Sequence, residues 1–135
     1  MKDHPRIIDL PIFKDSRGNL TFIEEGQHLP FLLKRAYWIY DVPGGEARGG
    51  HAFFENEEVI IALSGSFDVI TYQGNEKKIF SLNRSYYGLY VPKGTWREMN
   101  NFSTNALAFI LASSPYNPQD YIREFKDYLN YFSHE

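Results

Sequence analysis

An all-β barrel or jelly roll is the fold class this sequence predicts, and three observations predict it. Short runs rich in β-branched and aromatic residues alternate with Gly, Pro, Asn and Asp along most of the chain, the pattern of strands joined by turns. Aromatic residues make up 17% of the chain, with ten Tyr and eleven Phe, types that suit the half-buried surface of a sheet. The runs recur closely enough for roughly eight or nine short strands, a number that fits a barrel or jelly roll better than an open sheet.

Taken in order, Ile7–Leu10 is the first strand, stopped by Pro11. The segment Asp15-Ser-Arg-Gly-Asn19 is a turn by composition, because Gly18 and Asn19 tolerate positive φ. Leu20–Glu24 follows as a strand, then a loop through Gly26 and Pro30. Leu32–Val42 reads as one long strand broken by Pro43-Gly44-Gly45, and residues 45–58 as a polar, glycine-punctuated loop. Val59–Leu63 and Phe67–Tyr72 flank Gly65 as a hairpin, and Gln73-Gly-Asn75 turns the chain into Lys77–Leu82. Tyr86–Val91, Trp96–Asn100 and Ala106–Ala112 complete the set, with a tight turn at Pro92-Lys-Gly94. The tail changes period. Asn117 can cap a helix, Pro118 suits its first position and Asp120 its first turn. Tyr121, Ile122, Phe125, Tyr128, Leu129 and Phe132 then recur at helical spacing, giving one apolar face that packs on the sheets.

The 135 residues predict one domain, 1–135, with a core of its own. No run of about 18 apolar residues exists, so no membrane span is expected, and MKDHPRIIDLP lacks the apolar centre of a signal peptide. Without cysteine there is no disulfide framework and no thiolate chemistry, and the default address is cytoplasmic. The net charge of -3 argues against nucleic acid as a partner, since phosphate backbones need a basic face. Most of the aromatics are core; some are expected to wall a pocket or a dimer interface.

One stretch carries chemistry. Gly45, five residues, His51, one residue, Phe53, four residues, Glu58, six residues, Gly65 is the spacing of the first metal-binding motif of cupin barrels, with Phe53 where the second histidine would stand. The second motif follows as Pro92-Lys-Gly94, two residues, Arg97, three residues, Asn101, with Arg97 in the last histidine slot. A divalent ion needs several nitrogen and oxygen ligands, and a permanent guanidinium repels one. The barrel is therefore expected to hold no metal and to use no cofactor. His51, the histidine left in a ligand slot, has an ordinary pKa of about 6.5 that suits a general base or acid. Arg48 and Arg97 near it suggest an anionic substrate such as a diphosphate, which arginine binds bidentately. His4, His28 and His134 fall in terminal or loop segments and are expected to be structural.

With these motifs on the page, the chain resembles the dTDP-4-keto-6-deoxyglucose 3,4-ketoisomerases, small cupins of deoxyaminosugar biosynthesis. The resemblance runs through Asp15-Ser-Arg-Gly-Asn-Leu, Leu29-Pro-Phe31, Lys34-Arg35-Ala-Tyr37, Arg48-Gly-Gly-His51-Ala, Leu63-Ser-Gly-Ser66, Gly88-Leu-Tyr-Val91, Trp96-Arg-Glu-Met99 and Asp120-Tyr-Ile-Arg123. It implies a metal-independent jelly roll, a homodimer that exchanges N-terminal strands, and a dTDP-linked 4-keto-6-deoxyhexose as substrate. The reaction it implies moves the keto group from C4 to C3 through an enediol. Carried onto this chain, His51 is the base, Tyr37 a proton donor or orienter, and Arg48 a substrate contact, with Arg17, Arg35, Trp96 and Arg97 as further pocket residues. The chain departs from the family at Phe53, where a His-x-His pair is common, and at Arg97, which is often His. A related sugar-nucleotide epimerase, or a cupin that binds a nucleotide sugar without turning it over, are the other readings.

Overall fold

The computed structural model describes residues 3–132, so His134 lies outside the described residues. Two five-stranded antiparallel sheets face each other in a jelly-roll sandwich rather than a closed barrel. The first sheet runs β1 (Arg6–Asp9), β9 (Tyr87–Val91), β6 (Glu58–Ser64), β11 (Leu107–Ala112), β4 (Arg35–Ile39). The second runs β12 (Tyr121–Ile122), β5 (Arg48–Phe53), β10 (Trp96–Asn100), β7 (Phe67–Gln73), β8 (Glu76–Leu82). A separate hairpin, β2 (Ile12–Asp15) and β3 (Gly18–Thr21), hydrogen-bonds only within itself.

Alternation along the strands sorts the side chains into three cores. Ile60, Ala62, Leu89 and Ile110 of the first sheet meet Phe67, Val69, Leu82 and Met99 of the second in the space between the sheets. Val59, Ile61, Tyr90 and Leu111 point the other way and are covered by Leu10, Leu29 and the chain around them. That double coverage is why β6 reads as an unbroken apolar run rather than an alternating one. The outer face of the second sheet carries Ala52 and Trp96, which helix α1 (Phe125–Phe132) covers with its one fully buried residue, Tyr128. The Tyr128 hydroxyl accepts from the Gly74 amide at 3.0 Å and lies 2.8 and 2.9 Å from the carbonyls of Tyr72 and Gly94. Among the described residues no helix is long and apolar enough to cross a membrane.

Five elements differ from the sequence expectation. The long strand expected over Leu32–Val42 is only Arg35–Ile39. It ends at Ile39, and two residues on, Asp41 takes a positive φ of 56°. The N-terminal segment holds an extra strand, β2, because the 15–19 turn closes a hairpin whose first arm begins just after Pro11. The expected helix from Asn117 does not form as one piece. Asn117 does cap a turn, accepting from the Gln119 amide at 3.1 Å, but that turn is a 3-10 turn of Pro118–Asp120. The Asp120 carboxylate then takes the backbone amides of Glu55 (2.9 Å) and Asn56 (3.0 Å). This pins Tyr121 and Ile122 as a strand against β5, and the helix starts only at Phe125.

The fourth difference matters most for the site. Residues 48–53, expected in a loop, are strand β5. Its register against β10 shifts: Arg97 faces His51, but Met99 faces Arg48, so two residues of β5, Gly49 and Gly50, oppose Glu98 alone. This is a β-bulge at a glycine pair. In a regular strand Arg48 and His51 would point to opposite faces. The extra residue returns Arg48 to the face that carries His51.

Fifth, the hairpin expected around Gly65 does not form: β6 and β7 lie in different sheets, and Gly65, at φ 66°, sits in the turn that crosses from one to the other. A Cβ there would sit 2.4 Å from the Ser103 hydroxyl and 2.8 Å from the Ala106 Cα. Gly65→Ala is expected to cost about 2–4 kcal/mol, from backbone strain plus overlap with main chain, read as a lower urea midpoint at unchanged slope.

Candidate active site

A cavity of about 450 Å³ opens between the free edges of the two sheets. Edge strand β4 supplies Tyr37, β5 supplies Arg48 and His51, β10 supplies Arg97, and the end of the chain adds Tyr116, Tyr121 and Arg123. Beneath it lies a buried ion pair. Arg97 and Glu58 are each about 1% exposed, and the guanidinium donates to Glu58 Oε1 from Nε at 3.1 Å and from Nη2 at 2.7 Å. Nη2 also donates to the Tyr37 hydroxyl at 2.8 Å, and that hydroxyl donates in turn to Glu58 Oε2. Nη1 lies 3.3 Å from the Met99 sulfur.

This arrangement gives Arg97, in the motif slot expected to hold a histidine, a physical role. The Glu58 carboxylate has both oxygens engaged, one by Arg97 and one by Tyr37. The cation is supplied by the chain itself. Burial works against the Arg97 charge, and the Glu58 carboxylate, with Tyr37 behind it, more than offsets that. The Tyr37 phenol is held protonated, well above the usual phenol range, by burial first and then by Glu58, against the pull of Arg97.

His51 stands in an aromatic cage. Phe53 lies edge-on to it at 4.8 Å and Tyr121 at 5.0 Å, with Phe53 and Tyr121 themselves 4.6 Å apart. Its Nε2 is fully buried with no hydrogen-bond partner among the described residues. Burial, followed by the charges of Arg97, Arg123 and Arg35, pushes its pKa from 6.5 down to about 2. The imidazole is thus neutral.

The other cations are uncommitted. Arg35 lies over the Tyr37 ring at 5.1 Å and the Tyr116 ring at 5.6 Å, its Nε buried and unpartnered. Arg123 lies over the Tyr121 ring at 4.2 Å. Among the described residues no carboxylate pairs with Arg35, Arg48 or Arg123.

Of the residues the sequence singles out, His51, Tyr37, Arg48 and Arg97 line this cavity, and Arg35 stacks behind Tyr37. Trp96 does not line it. Next to Arg97 in a strand, it points to the opposite face and packs under α1 against Phe125 (5.3 Å) and Tyr128 (5.9 Å), with its indole N–H donated to Glu98 at 2.9 Å. Arg17 is also elsewhere, at the tip of the β2–β3 hairpin, where its side chain is 88% exposed and paired with Asp15 at 2.9 Å. Tyr116, Tyr121 and Arg123 are cavity residues the sequence reading did not single out. Tyr121 and Arg123 share a face at i, i+2 once 121–122 is seen as a strand, a spacing masked by the helical period of the tail.

Phe53 is 5% exposed and holds the cage by ring contacts alone. Phe53→His is therefore expected to leave turnover no faster than in the parent chain and to cost about 1–3 kcal/mol for a buried, unpartnered imidazole. Denaturant unfolding and an initial-rate assay check both halves. A faster enzyme would show that a second imidazole is what the site lacks.

The chain matches the family described as FdtA: WxcM-like, C-terminal, over residues 3–133. It belongs to that family. It is 39% identical to the TDP-4-oxo-6-deoxy-alpha-D-glucose-3,4-oxoisomerase of Aneurinibacillus thermoaerophilus over 95% of this chain and 92% of that one. Among solved structures it is similar to the TDP-quinovose 3,4-ketoisomerase of Campylobacter jejuni, at 39% identity and a TM-score of 0.90, covering 96% and 99% of the two chains. A mutant 3,4-ketoisomerase from Thermoanaerobacterium thermosaccharolyticum, solved in complex with TDP-4-keto-6-deoxyglucose, matches at 32% identity and a TM-score of 0.95, over 100% and 98%. The two solved structures share the fold of this chain along nearly its whole length.

Proposed function

We propose that this chain is a dTDP-sugar 3,4-ketoisomerase, a single-domain cytoplasmic enzyme in which neutral His51 removes the C3 proton of a dTDP-linked 4-keto-6-deoxyhexose. The observation that carries this reading is the desolvated, unpartnered imidazole set beside three uncommitted guanidinium groups. A diphosphate is the dianion those arginines suit, through bidentate contacts. The relatives named above, two of them described by action on or complex with a TDP-4-keto or TDP-4-oxo sugar, support the same substrate.

The reading also explains how so weak a base can act. Burial first, and then the charges of Arg97, Arg123 and Arg35, hold the His51 pKa near 2. A bound diphosphate brings negative charge to Arg35 and Arg123 and offsets their share of the shift, which moves that pKa upward while burial and Arg97 still hold it down. Tyr37 orients Arg97 and is held in place by Glu58, and Arg48 and Arg123 contact the diphosphate.

Two consequences follow for pH. The kcat/KM profile reports the free enzyme, so it should stay flat from about pH 8 to about pH 5, where an ordinary histidine would show a limb near 6.5. The kcat profile reports the complex and should show its acid limb at higher pH than kcat/KM does. An acid limb of kcat/KM at pH 6–7 would contradict the assignment. For folding the same group works in one direction. The unfolded chain binds a proton below about pH 6.5 that the folded site refuses, so its contribution to stability is complete above 6.5. It is lost as pH falls toward 2, by up to about 1.4 kcal/mol per pH unit.

The assembly belongs to the proposal as well. The β2–β3 hairpin stands apart from both sheets and exposes Phe13 and Leu20, with Phe22 beyond it. Between hairpin and first sheet lies a second cavity of about 560 Å³ lined by Ile12, Phe22, Leu63 and Phe109. We read this apolar region as the interface of a homodimer that exchanges N-terminal strands, which would carry Arg17 toward the partner's cavity. Sedimentation equilibrium at twice the chain mass is the expected result.

The test of function is 13C NMR of dTDP-4-keto-6-deoxyglucose with the purified protein. A new C3 ketone is expected. A ketone that stays at C4 while configuration changes at C3 or C5 would mean an epimerase. Binding of dTDP with an unchanged sugar would mean a non-catalytic binder.

A further inference from the structure

Resting on the ketoisomerase reading, we propose that Asp120 is a positioning residue for substrate: its carboxylate fixes the register of β12 on β5 and so holds Arg123 where a diphosphate meets it. Residues 113–123 form one wall of the cavity and bring Tyr116, Tyr121 and Arg123 to it. The middle of that wall, residues 115–119, is exposed and pairs with neither sheet. It is held at its ends, and both ends are tied to the same turn, residues 54–57 between β5 and β6. At the near end the Glu57 amide donates to the Ser113 hydroxyl at 2.8 Å, and the Ser114 amide donates to the Asn56 side-chain oxygen at 3.0 Å. At the far end Asp120 takes three successive amides. Phe54 donates to its carbonyl at 3.1 Å, and Glu55 and Asn56 donate to its two carboxylate oxygens at 2.9 and 3.0 Å.

That grip settles a register the strand cannot fix for itself. β12 pairs with β5 through two residues, Tyr121 opposite Phe53 and Ile122 opposite Ala52. Burial of Ile122 beside Trp96 and Tyr128 chooses the face of β12 that turns inward, but so short a ladder is a weak ruler along β5. Carboxylate bonds to two consecutive amides are charge-assisted and directional, and a slip of one residue would move the carboxylate off at least one of them. The register they fix sets Tyr121 5.0 Å from the His51 ring, with the Arg123 guanidinium 4.2 Å from the Tyr121 ring centre on the cavity wall. His51 does not depend on the grip, because β5 is also placed by its pairing with β10. Asp120 itself lies off the cavity lining and acts through Arg123.

Asp120→Ala removes the carboxylate, and calorimetry with dTDP reads the result. Affinity should fall about tenfold, the loss expected when one hydrogen bond to a charged group goes. Arg123→Ala should cost the same in the parent and little more in the Asp120→Ala background, a non-additive cycle. KM should rise in step while kcat changes by less than about threefold, since binding common to ground and transition states is what goes. A merely structural role would lower the active fraction and leave the affinity of the remainder unchanged, with Arg123→Ala still costing its full factor. Asp120→Asn keeps one acceptor oxygen and should weaken dTDP binding by about threefold at a urea midpoint near the parent's. Parent-like affinity in Asp120→Ala, an additive cycle, or, where the alanine variant does not fold, parent-like affinity in Asp120→Asn would overturn the proposal. A parent chain that binds dTDP but converts no sugar would sink the ketoisomerase reading alone, and the affinity cycle would still decide this proposal. A parent that does not bind dTDP would sink both.

Discussion

His51→Asn is expected to lower turnover by about 1,000-fold or more while leaving the affinity for dTDP within about twofold. Asparagine fills nearly the same space and keeps polar atoms where the imidazole stood, so the Phe53 and Tyr121 cage should stay closed around it. What is lost is the lone pair that takes the C3 proton, and positioned general bases contribute about 100- to 10,000-fold. The arginines assigned to the diphosphate are untouched, which is why binding should persist. Calorimetry with dTDP and an NMR rate assay on the same sample separate the two. A variant retaining even a tenth of the parent rate would move the base to another group.

The largest effect on stability is expected at Glu58. Glu58→Ala removes the counter-ion of an arginine that is about 1% exposed and also the acceptor of the Tyr37 hydroxyl. Leaving one partner of a buried ion pair alone costs about 3–5 kcal/mol. The paired replacement Glu58→Leu with Arg97→Met should recover much of that loss, because no charge then needs burying. It should not restore turnover, since it removes the frame that holds Tyr37 and the charge beside His51. Urea unfolding of the single and double variants gives the coupling directly. A single variant within about 1 kcal/mol of the parent would mean the pair is hydrated in solution.

The β class, the hairpin around Gly74, the turn glycine Gly65 and most strand bounds are legible because each has a local cause: alternation, a turn glycine, a proline stop. The cavity was only half legible. His51, Arg97 and Glu58 sit at fixed motif spacing, so position alone marked them. Arg48 was found, yet the reason it shares a face with His51 is a register shift at Gly49-Gly50, visible only once β5 and β10 are paired. Trp96 lies outside the cavity, under α1, a placement the sequence does not show because alternation at one-residue precision cannot be read from it. Tyr121 and Arg123 were hidden for a related reason. A side-chain contact from Asp120 to the Glu55 and Asn56 amides overrides the helical period of the tail and turns it into a strand beside the histidine. Long-range contacts of this kind leave no local signature.

The central claim is that neutral His51 takes the C3 proton. Proton NMR of dTDP-4-keto-6-deoxyglucose with the protein in deuterated buffer, run side by side with His51→Asn, tests it most directly. The account predicts loss of the H3 signal and a 3-keto product carrying deuterium at C4 for the parent, and neither for the variant. Loss of H3 at the same rate in both, or a substrate that stays bound and unlabelled in the parent, would contradict it.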